Sequence, residues 1–165
     1  MLDERVGTLR QVTSKAHVDM GQLIDGLREA DLDRKTDLGW PVRALAGHIA
    51  QAPAGDKYVA RRLSGGKNAT LPGFLAFTID VANWYGARKF RRAALSELRS
   101  ELDRQYTDLV TYIESLNTYQ LDQGGTVMGL GRLTTFEYLH QSPSLVLEHA
   151  SSIQRAIGAV GGSER

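Results

Sequence analysis

Apolar residues recur every three or four positions over most of the chain, and this spacing limits the folds open to it. In the segment 4–29, the recurring residues are Leu9, Val12, Ala16, Met20, Leu23 and Leu27. Because an α-helix turns through about 100° per residue, these side chains share one helix face. No segment alternates convincingly between apolar and polar residues with a period of two, so the sequence predicts an all-α protein without a sheet.

Three further helices are predicted from the same spacing and from signals at their ends. The second begins at Trp40-Pro41, because proline is favoured in the first turn, and ends near Leu63. The third contains Leu95, Leu98, Leu102, Leu109, Ile113 and Leu116. The fourth starts with a capping box over Thr134–Glu137 and ends at Gly158.

The segments between the helices define the expected topology. Residues 67–78 predict a long connection followed by a short aromatic-rich helix over 79–90, and residues 117–131 predict a loop. We therefore expect a four-helix bundle with a long crossover that contains a short extra helix. Residues 1–160 form one predicted domain, and residues 161–165 a flexible tail.

Two prolines fall inside predicted helices. Proline lacks the backbone N–H that would bond the carbonyl four residues earlier, so Pro53 predicts a kink or a short interruption of the second helix. Pro143 can distort the fourth helix for the same reason.

Charge and cysteine content exclude several classes of protein. The 165 residues include 20 Lys and Arg against 19 Asp and Glu, so no basic surface for nucleic acid is expected. The longest stretches without a charged residue, 44–55 and 68–79, are too short for the roughly 20 apolar residues of a membrane span. A charged N-terminus and the absence of cysteine predict a soluble, cytoplasmic protein.

Two of the four histidines fall on the apolar faces of their helices. His48 follows Leu45 by three positions, and His149 follows Val146 by three, whereas His140 falls on the opposite face of its helix. A buried imidazole needs a hydrogen-bond partner or a metal. Two interpretations remain open: histidines bonded within the core, or a divalent metal held between the second and fourth helices.

Three sequence elements resemble the DinB/YfiT-like superfamily, and most closely its maleylpyruvate isomerase N-terminal branch. Residues 40–50, WPVRALAGHIA, are similar to the W-x-V-R-x-L-x-x-H-L signature of the second helix. Residues 148–157, EHASSIQRAI, are similar to the H-x-x-x-I-R-x-A-I pattern of the last helix, and residues 83–88, NWYGAR, to an N-x-x-x-A-R element. The resemblance implies a metal-binding four-helix bundle.

The resemblance also implies a set of metal ligands. Such proteins hold zinc or nickel through one histidine of the second helix and two ligands of the last helix that are four residues apart. His48 and His149 match two of these positions, but the third is Leu145, which cannot bind a metal. Glu148 is the candidate substitute. The implied chemistry is activation of a low-molecular-weight thiol such as mycothiol by the metal.

Two hypotheses for function follow. The first is a metal-dependent thiol transferase or isomerase with an incomplete metal triad, in which Asn83 and Arg88 bind a small thiol or an acidic substrate. The basic run 88–92 can alternatively be a solvated face that pairs with nearby carboxylates. The second hypothesis is a non-catalytic bundle that has lost its metal and serves as a small-molecule-binding or dimerisation module, with a second copy of the chain as partner.

Overall fold

The computed structural model describes residues 3–70 and 89–158. It confirms the four-helix bundle, with a small hairpin at one end. The elements in chain order are α1 (Glu4–Asp25), a 3₁₀ helix (Glu29–Asp31), α2 (Val42–Ser64), α3 (Leu95–Glu114), α4 (Thr118–Asp122), β1 (Gly124–Val127), β2 (Gly131–Thr134), α5 (Thr135–Leu145) and α6 (Leu147–Gly158). Residues 79–88 of the predicted crossover helix and the predicted tail 161–165 lie outside the described residues.

Side chains cap the helices where the sequence carries the signals for it. Asp3 precedes α1, and its carboxylate accepts a hydrogen bond from the backbone N–H of Arg5 at 3.0 Å. At the start of α5, Thr134 Oγ1 accepts from Glu137 N at 3.1 Å and Glu137 Oε2 accepts from Thr134 N at 2.8 Å. The predicted capping box is therefore confirmed, and it satisfies donors that the first helical turn leaves free.

The prediction of a plain loop over residues 117–131, and of no sheet, is wrong. The chain forms the short helix α4 and then an antiparallel hairpin in which Gly124 faces Thr134 and Val127 faces Gly131. Gly129 and Gly131 have φ angles of +79° and +82°, which side-chain-bearing residues rarely adopt. Strands of four residues, one of which begins with two glycines, are too short to show a period of two.

The two prolines act differently. α2 runs from Val42 to Ser64 without interruption at Pro53, whereas the predicted fourth helix is divided at Val146 into α5 and α6. Pro143 cannot donate to the Leu139 carbonyl, which instead accepts from Ser142 Oγ at 3.4 Å. The interruption places the last part of the bundle in a separate helix.

The buried apolar residues form two clusters, one toward each end of the bundle. The cluster we call the α6 end includes Ile24, Leu45, Ile49, Leu98 and Ile153. The cluster we call the hairpin end includes Leu9, Leu63, Leu109, Ile113 and Leu139. Because α1, α2 and α3 contribute to both clusters, these three helices run the length of the bundle, while α5 and α6 each complete one end. None of the helices in the described ranges is long and apolar enough to cross a membrane.

Candidate functional site

The structure brings His48 of α2 and His149 of α6 together at the α6 end. The centroids of their rings are 5.0 Å apart and the ring planes meet at 71°. This distance confirms that the apolar faces of α2 and α6 meet. The two histidines are about 100 positions apart in the sequence. Both imidazoles are partly buried.

The two histidines line a pocket of about 270 Å³ whose other walls are apolar. Leu38 and Trp40 come from the connection before α2, and Leu45 comes from the first turn of α2. The Trp40 ring meets the His48 ring edge to face, with the centroids 6.0 Å apart. Trp40 is partly buried: it packs against the apolar cluster of the α6 end and also lines this pocket.

The environment of the His48 imidazole favours its neutral form. Burial lowers the pKa of His48 below its usual value of 6.5, and the neighbouring His149 lowers it further. The Nδ1 atom of His149 is buried and has no hydrogen-bond partner among the described residues. Since a buried polar atom without a partner is costly, this nitrogen is suited to contact a ligand.

The wall that carries Leu38 and Trp40 is a closed loop over residues 36–40. The Trp40 carbonyl accepts from Thr36 N at 2.8 Å and from Thr36 Oγ1 at 2.9 Å. Gly39 adopts a φ of +80° and donates from its N–H to the Thr36 carbonyl at 2.9 Å. These bonds preorganise the wall before any ligand arrives.

Other predicted site residues lie apart from the pocket or outside the described residues. Leu145 is 44% exposed at the end of α5, and Glu148 is exposed at the start of α6; neither lines the pocket. Asn83 and Arg88 fall within residues 71–88, which the structure does not describe. His140 is exposed, as its helical position predicts. The metal-binding roles of His48, His149 and Glu148 stay predictions.

A metal site built entirely from protein ligands does not fit the residues that the structure describes. No three His, Cys, Asp or Glu side chains of residues 3–70 and 89–158 are grouped so that they could hold one ion. His48 and His149 supply two nitrogen donors, whereas catalytic zinc sites ordinarily have three protein ligands. Any ion at this pair would therefore need further ligands from solvent, from a bound molecule or from the remainder of the chain.

One polar group inside the bundle was missed in the sequence. Asp56 lies eight residues after His48 on α2, and its Oδ1 accepts from the Tyr138 hydroxyl of α5 at 2.9 Å. Burial raises the pKa of this carboxyl to about 6, although the hydrogen bond from Tyr138 opposes the shift. Its position on the inward stripe that contains His48 and Ala52 was the available signal.

The bundle and its imidazole-lined pocket define a class: a helical protein with a candidate small-molecule site between α2 and its last helix. Residues 13–142 match the family model of the DinB superfamily. The match covers most of the chain, and the protein therefore belongs to this superfamily.

One solved structure agrees with that assignment at the level of the fold. The chain is similar to YfiT from Bacillus subtilis with a TM-score of 0.73 and 17% identity, over 99% of this chain and 91% of that one. YfiT is described as a probable metal-dependent hydrolase with an unusual four-helix bundle topology. No curated protein matches the chain.

Proposed function

We propose that the protein binds a small thiol or acidic molecule in the pocket between Trp40, His48 and His149. The observation that supports this most directly is the buried Nδ1 of His149, which has no hydrogen-bond partner among the described residues and lies beside a second imidazole. A pocket with mostly apolar walls and a few convergent polar atoms is the usual form of a small-molecule site.

The chemistry of the walls restricts the ligand. A volume of about 270 Å³ accommodates a small molecule, and three of the five lining residues are apolar. In this proposal, Leu38, Trp40 and Leu45 cover the apolar part of the ligand and exclude water, while the imidazoles bind its polar head. Because the pKa of His48 is lowered, its ring is mainly neutral at pH 7 and offers one donor and one acceptor.

A second candidate is a metal-dependent transferase or isomerase that uses a mycothiol-type thiol. It is favoured by the meeting of two imidazoles at the positions that the superfamily resemblance assigns to metal ligands, and by the description of YfiT as probably metal-dependent. Because the described residues supply two ligands, this candidate requires a zinc or nickel site completed by molecules outside that part of the chain.

Metal analysis separates the two candidates. Purified protein is loaded with Zn²⁺ or Ni²⁺, dialysed and assayed for bound metal, alongside His48→Ala, His149→Ala and His140→Ala, the last an exposed matched control. Near-stoichiometric metal that is lost in the first two variants and kept in the third supports the metal-dependent enzyme. Absence of metal from all four proteins overturns the metal-dependent enzyme and leaves small-molecule binding in the pocket as the proposed function.

A titration followed by NMR tests the pocket itself. N-acetylcysteine is added while the imidazole signals are recorded, and N-acetylserine serves as the matched probe without a thiol. We expect both acids to shift His48 and His149 but not His140, with the thiol binding more tightly if sulfur is recognised. If neither the acids nor a neutral thiol such as 2-mercaptoethanol shifts the pocket histidines, the proposed function is wrong.

A further inference from the structure

We infer that Asp37 is a positioning residue: it fastens the loop 36–40 to α6 and thereby sets the width of the His48–His149 pocket. This inference rests on the proposed function only in treating the pocket as a binding site. The loop carries two walls of the pocket, Leu38 and Trp40, and α6 carries His149. A contact between loop and helix therefore controls the gap that a ligand must enter.

The contact is made by both oxygens of one carboxylate. Asp37 Oδ1 accepts a hydrogen bond from Ser152 Oγ, and Asp37 Oδ2 accepts from Arg155 Nε at 2.8 Å. Arg155 Nη2 also lies 2.6 Å from Oδ2. Among the described residues, these are the hydrogen bonds that join the loop to α6. We call this set of three residues the Asp37 clasp.

The strength of the clasp comes from its buried part. The side chains of Asp37 and Arg155 are 49% and 57% exposed, and ion pairs with that exposure contribute little. Ser152, however, is fully buried, and hydrogen bonds to a charged acceptor are stronger than neutral ones. The hydrogen bond from Ser152, followed by that from Arg155, keeps the pKa of Asp37 below its usual value, so the carboxylate stays ionised at neutral pH.

The position of the clasp links it to the site. Ser152 follows His149 by three residues on α6, so the clasp lies about one turn from the imidazole on a neighbouring part of the helix surface. At the other side, the bonds around Trp40 close the loop on itself, which makes residues 36–40 a unit. Release of Asp37 then frees the whole wall, including Leu38 and Trp40, rather than one side chain.

Reaction of the histidines with diethyl pyrocarbonate tests the inference without a ligand. The reagent acylates neutral imidazoles that it can reach, and peptide mass spectrometry gives a rate for each histidine. In Asp37→Ala we expect His48 and His149 to react on the order of tenfold faster, as loss of a charged hydrogen bond implies for local opening, while exposed His140 reacts at its wild-type rate. Arg155→Gln changes only a surface side chain and should give a smaller increase at the same two residues.

Asp122→Ala is the matched control, because it removes an exposed ion pair with Arg5 at the other end of the bundle. Asp37→Glu keeps the charge, so His48 and His149 should be acylated more slowly in this variant than in Asp37→Ala. Equal rates at His48 and His149 in wild type and both clasp variants overturn the inference, and so does a parallel rise at His17 and His140, which would indicate general loosening. A clasp confirmed in this way while the acid and thiol probes fail to bind would reject the proposed function alone.

Discussion

The two ends of the bundle differ in how completely their polar groups are satisfied. Within the described ranges, three buried side-chain nitrogens lack a hydrogen-bond partner, namely Arg34 Nη1, Arg43 Nε and His149 Nδ1. They lie beside Leu32, Val42 and Ala150 of the α6 end, and Arg43 Nε is 3.6 Å from the Asp33 carboxylate. At the hairpin end, buried Thr135 donates from its hydroxyl to the Gln123 carbonyl at 3.0 Å.

The contrast supports a division in which the hairpin end contributes stability and the α6 end holds the proposed binding site. Unpaired buried polar atoms cost free energy and persist where function requires them. The hairpin end is a core of buried apolar residues, and the α6 end contains the pocket.

The largest effect is expected from truncating the core of the hairpin end. Leu139 is 1% exposed, so Leu139→Ala should lower the free energy of unfolding by about 3 kcal/mol. Trp40→Ala should cost less, roughly 2 kcal/mol, because the ring packs against the core but is only partly buried and lines the pocket. Urea denaturation measures both values. Equal losses would mean that Trp40 is a core residue and that the α6 end is as tightly packed as the other.

The next effect concerns Asp56, whose buried carboxyl accepts a hydrogen bond from Tyr138 of the hairpin end. Its pKa is about 6 in the folded protein against about 3.9 when unfolded. Between these values the folded state holds more protons, so this carboxyl makes stability fall as pH rises from 4 to 6, by about 2 kcal/mol.

Asp56→Asn should remove that contribution, and the variant should gain stability relative to wild type as pH rises from 4 to 8. Urea denaturation of both proteins across this range gives the difference. Asp108→Asn, which changes an exposed carboxylate paired with Lys57, is the control. A difference that does not vary with pH would show that Asp56 titrates as an ordinary surface acid.

Polar-to-apolar substitutions should have opposite signs at the two ends. Thr135→Val removes a satisfied buried hydroxyl and should destabilise the protein by about 1 kcal/mol. His149→Leu removes an imidazole with an unpaired buried nitrogen and should leave the stability at pH 8 unchanged or raise it by up to about 1 kcal/mol. Thermal unfolding of the two variants is the measurement. A loss of stability in His149→Leu as large as in Thr135→Val would refute the division between the ends.

The smallest expected effect is on the titration of His48. Burial is the main cause of its lowered pKa and the charge of His149 the second, so His149→Leu should raise this pKa but leave it below 6.5. NMR titration of the imidazole detects the change. Since a lowered histidine pKa means that the unfolded state binds more protons, His48 destabilises the fold as pH falls below 6.5. An unchanged pKa in the variant would show that the two rings do not interact electrostatically.

Spacing within the sequence was sufficient to predict the long helices and the inward-facing positions of His48 and His149. The recurrence of apolar residues predicted α1, α2 and α3, because a helix face depends only on neighbours three and four positions away. The same rule placed His48 and His149 on inward faces and His140 outside. The capping box of Thr134 and Glu137 is also a local signal, and it correctly predicted the start of α5.

What the spacing could not provide are contacts between distant segments. The pairing of the hairpin that starts at Gly124 depends on contacts that no short window of sequence contains. The interruption at Val146, in contrast, follows Pro143, whose missing N–H is a local signal. The Asp37 clasp joins residues 115 and 118 positions apart, and no local rule brings them together. Local spacing was enough to predict the long helices and the inward-facing histidines. That two imidazoles share one pocket, and that one carboxylate fastens its wall, is visible only in the folded structure, because these contacts form after the helices have packed.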